Sequence, residues 1–578
     1  MKLVEALKIV RAEGGVGGKP FSVALVCGCM GGHLQTFLAA HLRVLDPGRA
    51  VDVRTGLYGD CLGNLERLRA EPADAGALVL EWPDLDPRLG LRALGGWRPS
   101  DLPDILATAR ARLARFRDVI EAVAGLVPMA VCPPTLPLPP LSYTPGWQAG
   151  PFDVDLAAAL GEFTARVAGL PGVRVASRQR LDLVSPPHER LDVRSELMAG
   201  FPYKVAHASA LGGAMARLVR PPQPKKGLIT DLDDTVWRGL VGEVGAAGVS
   251  WHLDQHSHAH GIYQQVLASL AAAGTLVAAA SKNDPAAVEE AFAREDLILA
   301  APGVFPREVH WNPKSESVGR ILRAWNVGAD SVVFVDDSPM ELAEVKAAFP
   351  EIECLLFPTR DEGGVYDLTV RLRDLFGKGS VSREDAIRLE SLRRAAGRDA
   401  DGEGPGGADP DRFLEQAGAA LTLNFSKAHA DPRALELVNK TNQFNLNGRR
   451  YTDGEWAARL RDPATFLLRV AYEDKFGPLG TIAVVSGRAG GPEVVIDTWV
   501  MSCRAFSRRI EHRCLAAVFE GFGAGAVVLD YQATPRNGPL LEFLSAFMNP
   551  GHDRRLAGED FERQCPPLFH RVKKVTDE

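Results

Sequence analysis

GLITDLDDTVWRGLVGE, residues 227–243, decides the fold of the middle of this chain. Its apolar run ends in Asp231 and Asp233, spaced i and i+2, which puts both carboxylates on one face of an extended strand end, where they can share a divalent cation. That arrangement suits phosphoryl chemistry. One carboxylate attacks phosphorus, while the other gives a proton to the leaving oxygen and then serves as a general base.

Working outward, the rest of a phosphoryl site follows in order. TLVAAASKND (275–284) is an apolar strand ending in Ser281, whose hydroxyl and neighbouring amides can hold a phosphate oxygen. HWNPKSESVGRIL (310–322) puts Lys314 at the start of a helical pattern, where its ammonium balances a phosphate and an aspartyl nucleophile. SVVFVDDSPMELAEVKAAF (331–349) closes a β-branched strand with Asp336 and Asp337, completing an oxygen-rich site for Mg²⁺. A lone Asp-x-Asp is commonly an ordinary acidic strand end; four ordered elements, each at the carboxyl end of a predicted strand, make a site. The predicted catalytic residues are Asp231, Asp233, Ser281 and Lys314, and the predicted metal ligands are Asp231, Asp233, Asp336 and Asp337. Thr235 and Asn283 are the neighbouring candidates for substrate binding.

These words resemble motifs one to four of the haloacid dehalogenase (HAD) superfamily. TVWRGLVGEVG, SKND, HWNPKSES and VDDSPMELAEV are similar to the FkbH-like branch, the glyceryltransferase/phosphatases that load acyl carrier proteins in polyketide-type pathways. The resemblance implies an aspartyl-phosphate mechanism with Mg²⁺. It also implies 1,3-bisphosphoglycerate, an acyl phosphate, as glyceryl donor, removal of phosphate, and a thioester on a carrier protein's phosphopantetheine arm. A plain phosphatase of a small phosphoester, with flanking binding domains, is the alternative. The gap between Asp231 and Ser281 holds GLVGEVGAAGVSW, read as a glycine-rich hairpin, and one amphipathic helix. No full cap fits there, and an open site suits a phosphoryl group carried on a macromolecule.

A chain of 578 residues exceeds what one hydrophobic core serves, so several domains are expected. Net charge of −7 argues against nucleic acid or an anionic membrane as the main partner. No apolar run reaches transmembrane length, MKLVEALKIVRAEGG lacks a signal-peptide core, and eight scattered cysteines form no disulfide framework, so a cytoplasmic setting is expected. Composition divides the chain at RPPQPKKG (220–227) and at the linker DADGEGPGGADPD (399–411). The expected parts are 1–220, the HAD-like 221–380, a helix and linker over 381–409, and 410–578.

FSVALVCGCMGGHLQTFLAAHL (21–42) reads as a buried strand, a glycine turn and a helix. This first block resembles the SGNH-hydrolase fold, with Cys27-Gly28-Cys29 where that fold has its Gly-Asp-Ser nucleophile and Lys204-Val205-Ala206-His207 at its late motif. Cys27 or Cys29 assisted by His207 is one reading, since a thiol at a helix start has a lowered pKa; small core cysteines in a docking domain are the favoured one. Among His252, His256, His258 and His260, the pairs His252/His256 and His256/His260 have the i, i+4 spacing of zinc ligands on a helix, but nothing completes a site, and a solvated helix start is expected.

The last block carries LELVNKTNQFNLNGRRYT (435–452) and the central strand of VVIDTWVMSCRAFSRRIEHRCLAAVFEGF (494–522), and resembles the α+β acyl-CoA N-acyltransferase (GNAT) fold. An amide-rich loop of Asn442, Gln443 and Asn445 can read glyceryl hydroxyls, with Arg504 as a further contact. Cys503, close in sequence to Arg504, Arg508 and Arg509, is either an acyl acceptor whose thiolate is favoured by those cations or a packed strand-end residue.

Overall fold

The computed structural model describes residues 1–575 apart from 13–19, 95–96, 141, 382–384, 386–409, 428–431, 476, 492, 503–504, 507, 535–536 and 550–552. The chain forms two compact units. Unit one comprises residues 1–222 with 451–461, and unit two comprises 223–450 with 462–578. The mixed α/β, multidomain class expected from the sequence is what the structure has.

Unit one is built on five parallel strands: β1 (Phe21–Cys27), β2 (Val51–Thr55), β3 (Ala75–Val79), β4 (Met129–Cys132) and β5 (Val173–Val175), in the order β2-β1-β3-β4-β5. β3 and β4 are buried along their whole length, as strands of a helix-covered parallel sheet must be. In the helix Leu102–Ala124, buried Ile105, Ala109, Leu113, Phe116, Ile120 and Val123 recur at the three- and four-residue spacing of one face. The helices Gly32–Leu45 and Val205–Val219 approach so closely that a Cβ on Gly212 would lie 2.9 Å from that of Phe37. The helix Asp453–Arg461, placed by sequence in the C-terminal block, belongs to unit one, where Arg174 and Arg49 pair with its Asp453 and Glu455.

Unit two contains two sheets. The first is wholly parallel: β6 (Gly227–Thr230), β7 (Leu276–Ser281), β8 (Arg307–Val309), β9 (Val332–Asp336) and β10 (Glu353–Leu356), ordered β10-β9-β6-β7-β8. Every residue of β6, β7 and β9 is buried, so their apolar runs are continuous rather than alternating. Between β6 and β7 the predicted hairpin is closed by one antiparallel bridge, Arg238 to Ser250, and holds a helical turn, Val241–Val244; the helix His258–Ala272 follows. No cap domain is inserted there.

The second sheet is mixed. Its strands are β11 (Ala420–Asn424), β12 (Phe444–Asn445), β13 (Thr465–Asp474), β14 (Gly477–Arg488), β15 (Glu493–Met501), β16 (Ala526–Leu529), β17 (Arg555–Ala557) and β18 (Arg571–Val575). The order is β17-β16-β15-β14-β13-β11-β18, with β12 paired to β15. Its core gathers Leu468, Val470, Ile482, Ile496, Trp499 and the helix Ile510–Phe522. The helix and linker expected over 381–409 lie, but for Val381 and Asp385, outside the described residues.

Candidate active site

The parallel sheet of unit two runs from β6 to β7 and β8 on one side, then crosses to β9 and β10 on the other. Loops leaving β6 and β9 therefore diverge, and the crevice at their carboxyl ends is where open α/β sheets bind ligands. Asp231 leaves β6 and Asp336 ends β9, so both carboxylates enter this crevice. The Asp231 amide donates to the Val335 carbonyl at 2.9 Å, holding the two strand ends in step.

Lys314, the first residue of the helix Lys314–Trp325, stands between them. Its Nζ is 2.7 Å from Asp231 Oδ1 and 2.6 Å from Asp336 Oδ2, and all three side chains are nearly removed from solvent. Burial pushes the Asp231 carboxyl up to about 6 against the pull of Lys314, with Asp336 adding repulsion. The Asp336 carboxyl is also raised by burial, while Lys314 draws it down. For Lys314, burial works against the charged form, but the two carboxylates overrule it and hold the ammonium above its ordinary range. Asp337 is raised to about 6 by burial and then by the charge of Asp231.

Asp231, Asp336 and Asp337 each offer an oxygen, and these lie within 4.8 Å of one another. One lysine cannot balance two buried carboxylates and a half-buried third. A hard divalent cation with oxygen ligands fits that donor set.

Asp233 does not join this group, which corrects the predicted ligand set for its side chain. Its Oδ1 accepts from Trp237 Nε1 at 2.8 Å, its Oδ2 from Asn283 Nδ2 at 2.8 Å, and both are 3.2 Å from the Val241 amide. The cause is the turn after β6: Leu232 O accepts from the amides of Thr235, Val236 and Trp237, and Asp234 takes a left-handed φ of +49° while its Oδ1 accepts from Gly239 N. Thr235, predicted to touch substrate, is fully buried in that turn, and its hydroxyl has no hydrogen-bond partner among the described residues. Ser281, at the end of β7, receives a hydrogen bond from Asn283 Nδ2 at 3.3 Å, so Asn283 bridges Asp233 and Ser281. Two partners went unread in the sequence although both sit inside quoted words. Trp237 fixes Asp233, and Glu341 holds Lys282 at 2.9 Å, beside Ser281.

The C-terminal candidates lie elsewhere. Asn442 and Gln443 line a small pocket with Lys226, Leu276, Trp325 and Ser502, at the amino ends of β6 and β7, the edge of the sheet opposite to Asp231. Asn442 Oδ1 accepts from Arg450 at 2.5 Å. Asn445 is buried, and it shapes a turn by donating to Thr441 O and accepting from the Asn447 and Gly448 amides. Cys503 and Arg504 lie outside the described residues.

In unit one, the pairing of His207 with a cysteine is overturned. His207 Nε2 is 3.0 Å from Thr135 Oγ1 and Nδ1 is 2.9 Å from Ser185 Oγ, so both ring nitrogens are engaged away from Cys27 and Cys29. Burial, with Arg190 nearby, lowers its pKa to about 3. The Cys29 thiol is pushed well above its ordinary value by a hydrogen bond with Cys27 and by burial, opposite to the expected activation. Of the clustered histidines, His252 pairs with Asp296 and His260 meets the Thr235 carbonyl and stacks on Phe357; among the described residues they assemble no metal group.

The chain matches no protein-family model and no curated relative. It is similar in structure to the N-terminal part of the protein BF1531 from Bacteroides fragilis, which contains a phosphatase domain and was crystallised complexed with Mg. The TM-score is 0.53 and the identity 18%, covering 66% of this chain and 100% of that one. An uncharacterized protein from Corynebacterium glutamicum aligns at a TM-score of 0.19 and 17% identity, covering 27% of this chain and 98% of that one. At these identities the likeness to the Bacteroides protein shows the fold. No helix among the described residues is long and apolar enough to cross a membrane.

Proposed function

We propose that this chain is a Mg²⁺-dependent phosphatase of HAD type, and that it uses the site in glyceryl transfer from 1,3-bisphosphoglycerate to an acyl carrier protein. The observation that carries the first part is Lys314 clamped between Asp231 and Asp336, with Asp337 completing a three-carboxylate group. The Mg reported with the Bacteroides fragilis phosphatase domain supports the choice of metal. Asp231, Asp336 and Asp337 would hold the ion, whose charge would offset that of the carboxylates and the phosphate.

An Asp231 oxygen forms the new bond to phosphorus as the bond to the leaving oxygen breaks, giving an aspartyl phosphate. Asp233, aimed by Trp237 and Asn283, gives its proton to the leaving oxygen. It then takes a proton from the water that attacks phosphorus, and phosphate and the Asp231 carboxylate are regenerated. Ser281 holds a phosphate oxygen, and Lys314 keeps the nucleophile ionised in its buried place.

The finer reading rests on the FkbH-like words of the sequence and on the absence of an inserted cap between β6 and β7, which leaves room for a substrate carried on a protein. A thiolate sulfur, Cys503 or the carrier's own, would bond to the glyceryl carbonyl as the carbonyl carbon's bond to the phosphate oxygen breaks and inorganic phosphate leaves, and the remaining ester phosphate would be hydrolysed at Asp231. Incubation with a carrier protein and 1,3-bisphosphoglycerate, followed by intact-mass measurement of the carrier, tests this. A glyceryl adduct supports it; phosphate release with an unchanged carrier mass leaves a small-molecule phosphatase.

A further inference from the structure

Unit one has its own diverging strand ends. In the order β2-β1-β3-β4-β5, the chain leaves β1 toward β2 on one side, then returns to β3 on the other, so the loops after β1 and β3 part and open a crevice. A cavity of about 400 Å³ lies there, lined by Gly28 and Cys29 after β1, by Trp82 and Asp84 after β3, and by apolar side chains such as Leu91 and Leu136. A few polar groups on apolar walls is the usual composition of a small-molecule site.

One polar atom in it is unmatched. Asp84 Oδ2 accepts from the Glu81 amide at 2.8 Å, but Oδ1 has no hydrogen-bond partner among the described residues. It lies so near Gly28 that a Cβ there would sit 1.9 Å from it, so only glycine lets the carboxyl into this position. The other charged lining groups are engaged. Glu81 accepts from Thr135 N and Oγ1, from Leu136 N and from the Tyr203 hydroxyl. Arg92 donates to the Glu196 and Leu197 carbonyls and the Tyr58 hydroxyl, and lies 3.6 Å from the Glu196 carboxylate. A half-buried carboxylate oxygen on the wall of an apolar cavity, with no hydrogen-bond donor and no lining cation left to meet it among the described residues, offers an acceptor to a cation that enters the cavity.

We infer that this cavity binds a small primary alkylammonium ion, its nitrogen on Asp84 Oδ1 and its apolar body against Leu91 and Leu136. A carboxylate ligand would face Asp84 with like charge, and an alcohol would make a neutral hydrogen bond of about half the strength. The site is independent of the phosphoryl site.

Titration calorimetry on the full-length protein at pH 8, with n-hexylammonium, 1-hexanol and hexanoate as probes, tests this. Hexylammonium is expected to bind at least about tenfold more tightly than hexanol, with no binding of hexanoate. Asp84→Asn should remove that preference while hexanol binding is kept. Leu91→Trp, which fills the cavity, should remove binding of both while phosphate release is unchanged; it keeps the test available if Asp84→Asn does not fold. Equal affinity for amine and alcohol, no binding of either, or undiminished amine binding in Leu91→Trp would overturn the assignment.

Discussion

Two parallel sheets, one in each unit, solve the same topological problem with opposite chemistry. Both reverse their strand order beside the first strand, β1 in unit one and β6 in unit two, and both open a crevice there. The crevice after β6 is filled with charge, three carboxylates against one lysine. The crevice after β1 is an apolar cavity with one lining thiol, Cys29, which a hydrogen bond with Cys27 and burial hold protonated, and one unmatched carboxyl oxygen. Topology fixes where a site can be. The few residues that follow each strand fix what it can do, and the buried partners around them decide whether a nucleophile is awake.

Replacing the proposed nucleophile of one crevice, Asp231, and the thiol of the other, Cys29, should give the largest contrast. Asp231→Asn is expected to lower phosphate release on the order of 10³-fold or more with the fold intact, whereas Cys29→Ser should leave it unchanged. Excess chelator should match the first result. A stopped phosphate-release assay checks all three, and a comparable loss in Cys29→Ser would erase the contrast.

Lys314→Met should be the most destabilising single change at the phosphoryl crevice. It leaves Asp231 and Asp336 buried without their cation, at a cost of about 3–5 kcal/mol in the apoprotein by denaturant unfolding. Wild-type stability in that variant would mean that the carboxylates do not depend on the lysine.

Asp233→Asn should lower phosphate release by about 10²-fold or more, through loss of the proton shuttle alone. Because Asp233 stands outside the three-carboxylate group, Mg²⁺ affinity by calorimetry should remain unchanged. A tenfold or greater weakening would return its side chain to the metal set.

The smallest effect concerns the other crevice. Burial raises Glu81 and Asp84 to about 7 each, against hydrogen bonds that pull them down, and roughly 4 is the value in an unfolded chain. Between those values the folded protein keeps protons that the unfolded chain has released, so unit one loses stability as pH rises from about 4 to about 7. Asp84→Asn removes its share of that loss. It should be more stable than the parent at pH 8 by about 1–2 kcal/mol, with the gain vanishing near pH 4 in pH-dependent thermal melts. An identical pH profile for both proteins would show that Asp84 is not held in the neutral form.

Much of the crevice after β6 was legible because its parts are local. Apolar runs of four to six residues that end in Asp231, Ser281 and Asp336 announce buried parallel strands with polar carboxyl ends, and Lys314 follows a proline at a helix start. Asn442 and Gln443 were read correctly as amide-rich, but nothing in their neighbourhood says which edge of a sheet they face. The helix Asp453–Arg461 was assigned by position, whereas its partners Arg49 and Arg174 are hundreds of residues away.

The sequence by itself determined the alternation of strand and helix, the acidic strand ends, and the identity of the carboxyl, hydroxyl and ammonium groups that the strand and helix ends present. Hydrophobic period and strand-end chemistry act within a few residues and are written in order along the chain. Only the tertiary structure decided that Asp233 turns to Trp237 and Asn283 rather than to the three-carboxylate group, that His207 is bound by Thr135 and Ser185 rather than by a cysteine, and that Asp84 packs against Gly28 at the wall of an apolar cavity. Each of those choices is a competition among buried hydrogen-bond partners, most of them far apart in sequence, and burial geometry, absent from any local pattern, selects the winner.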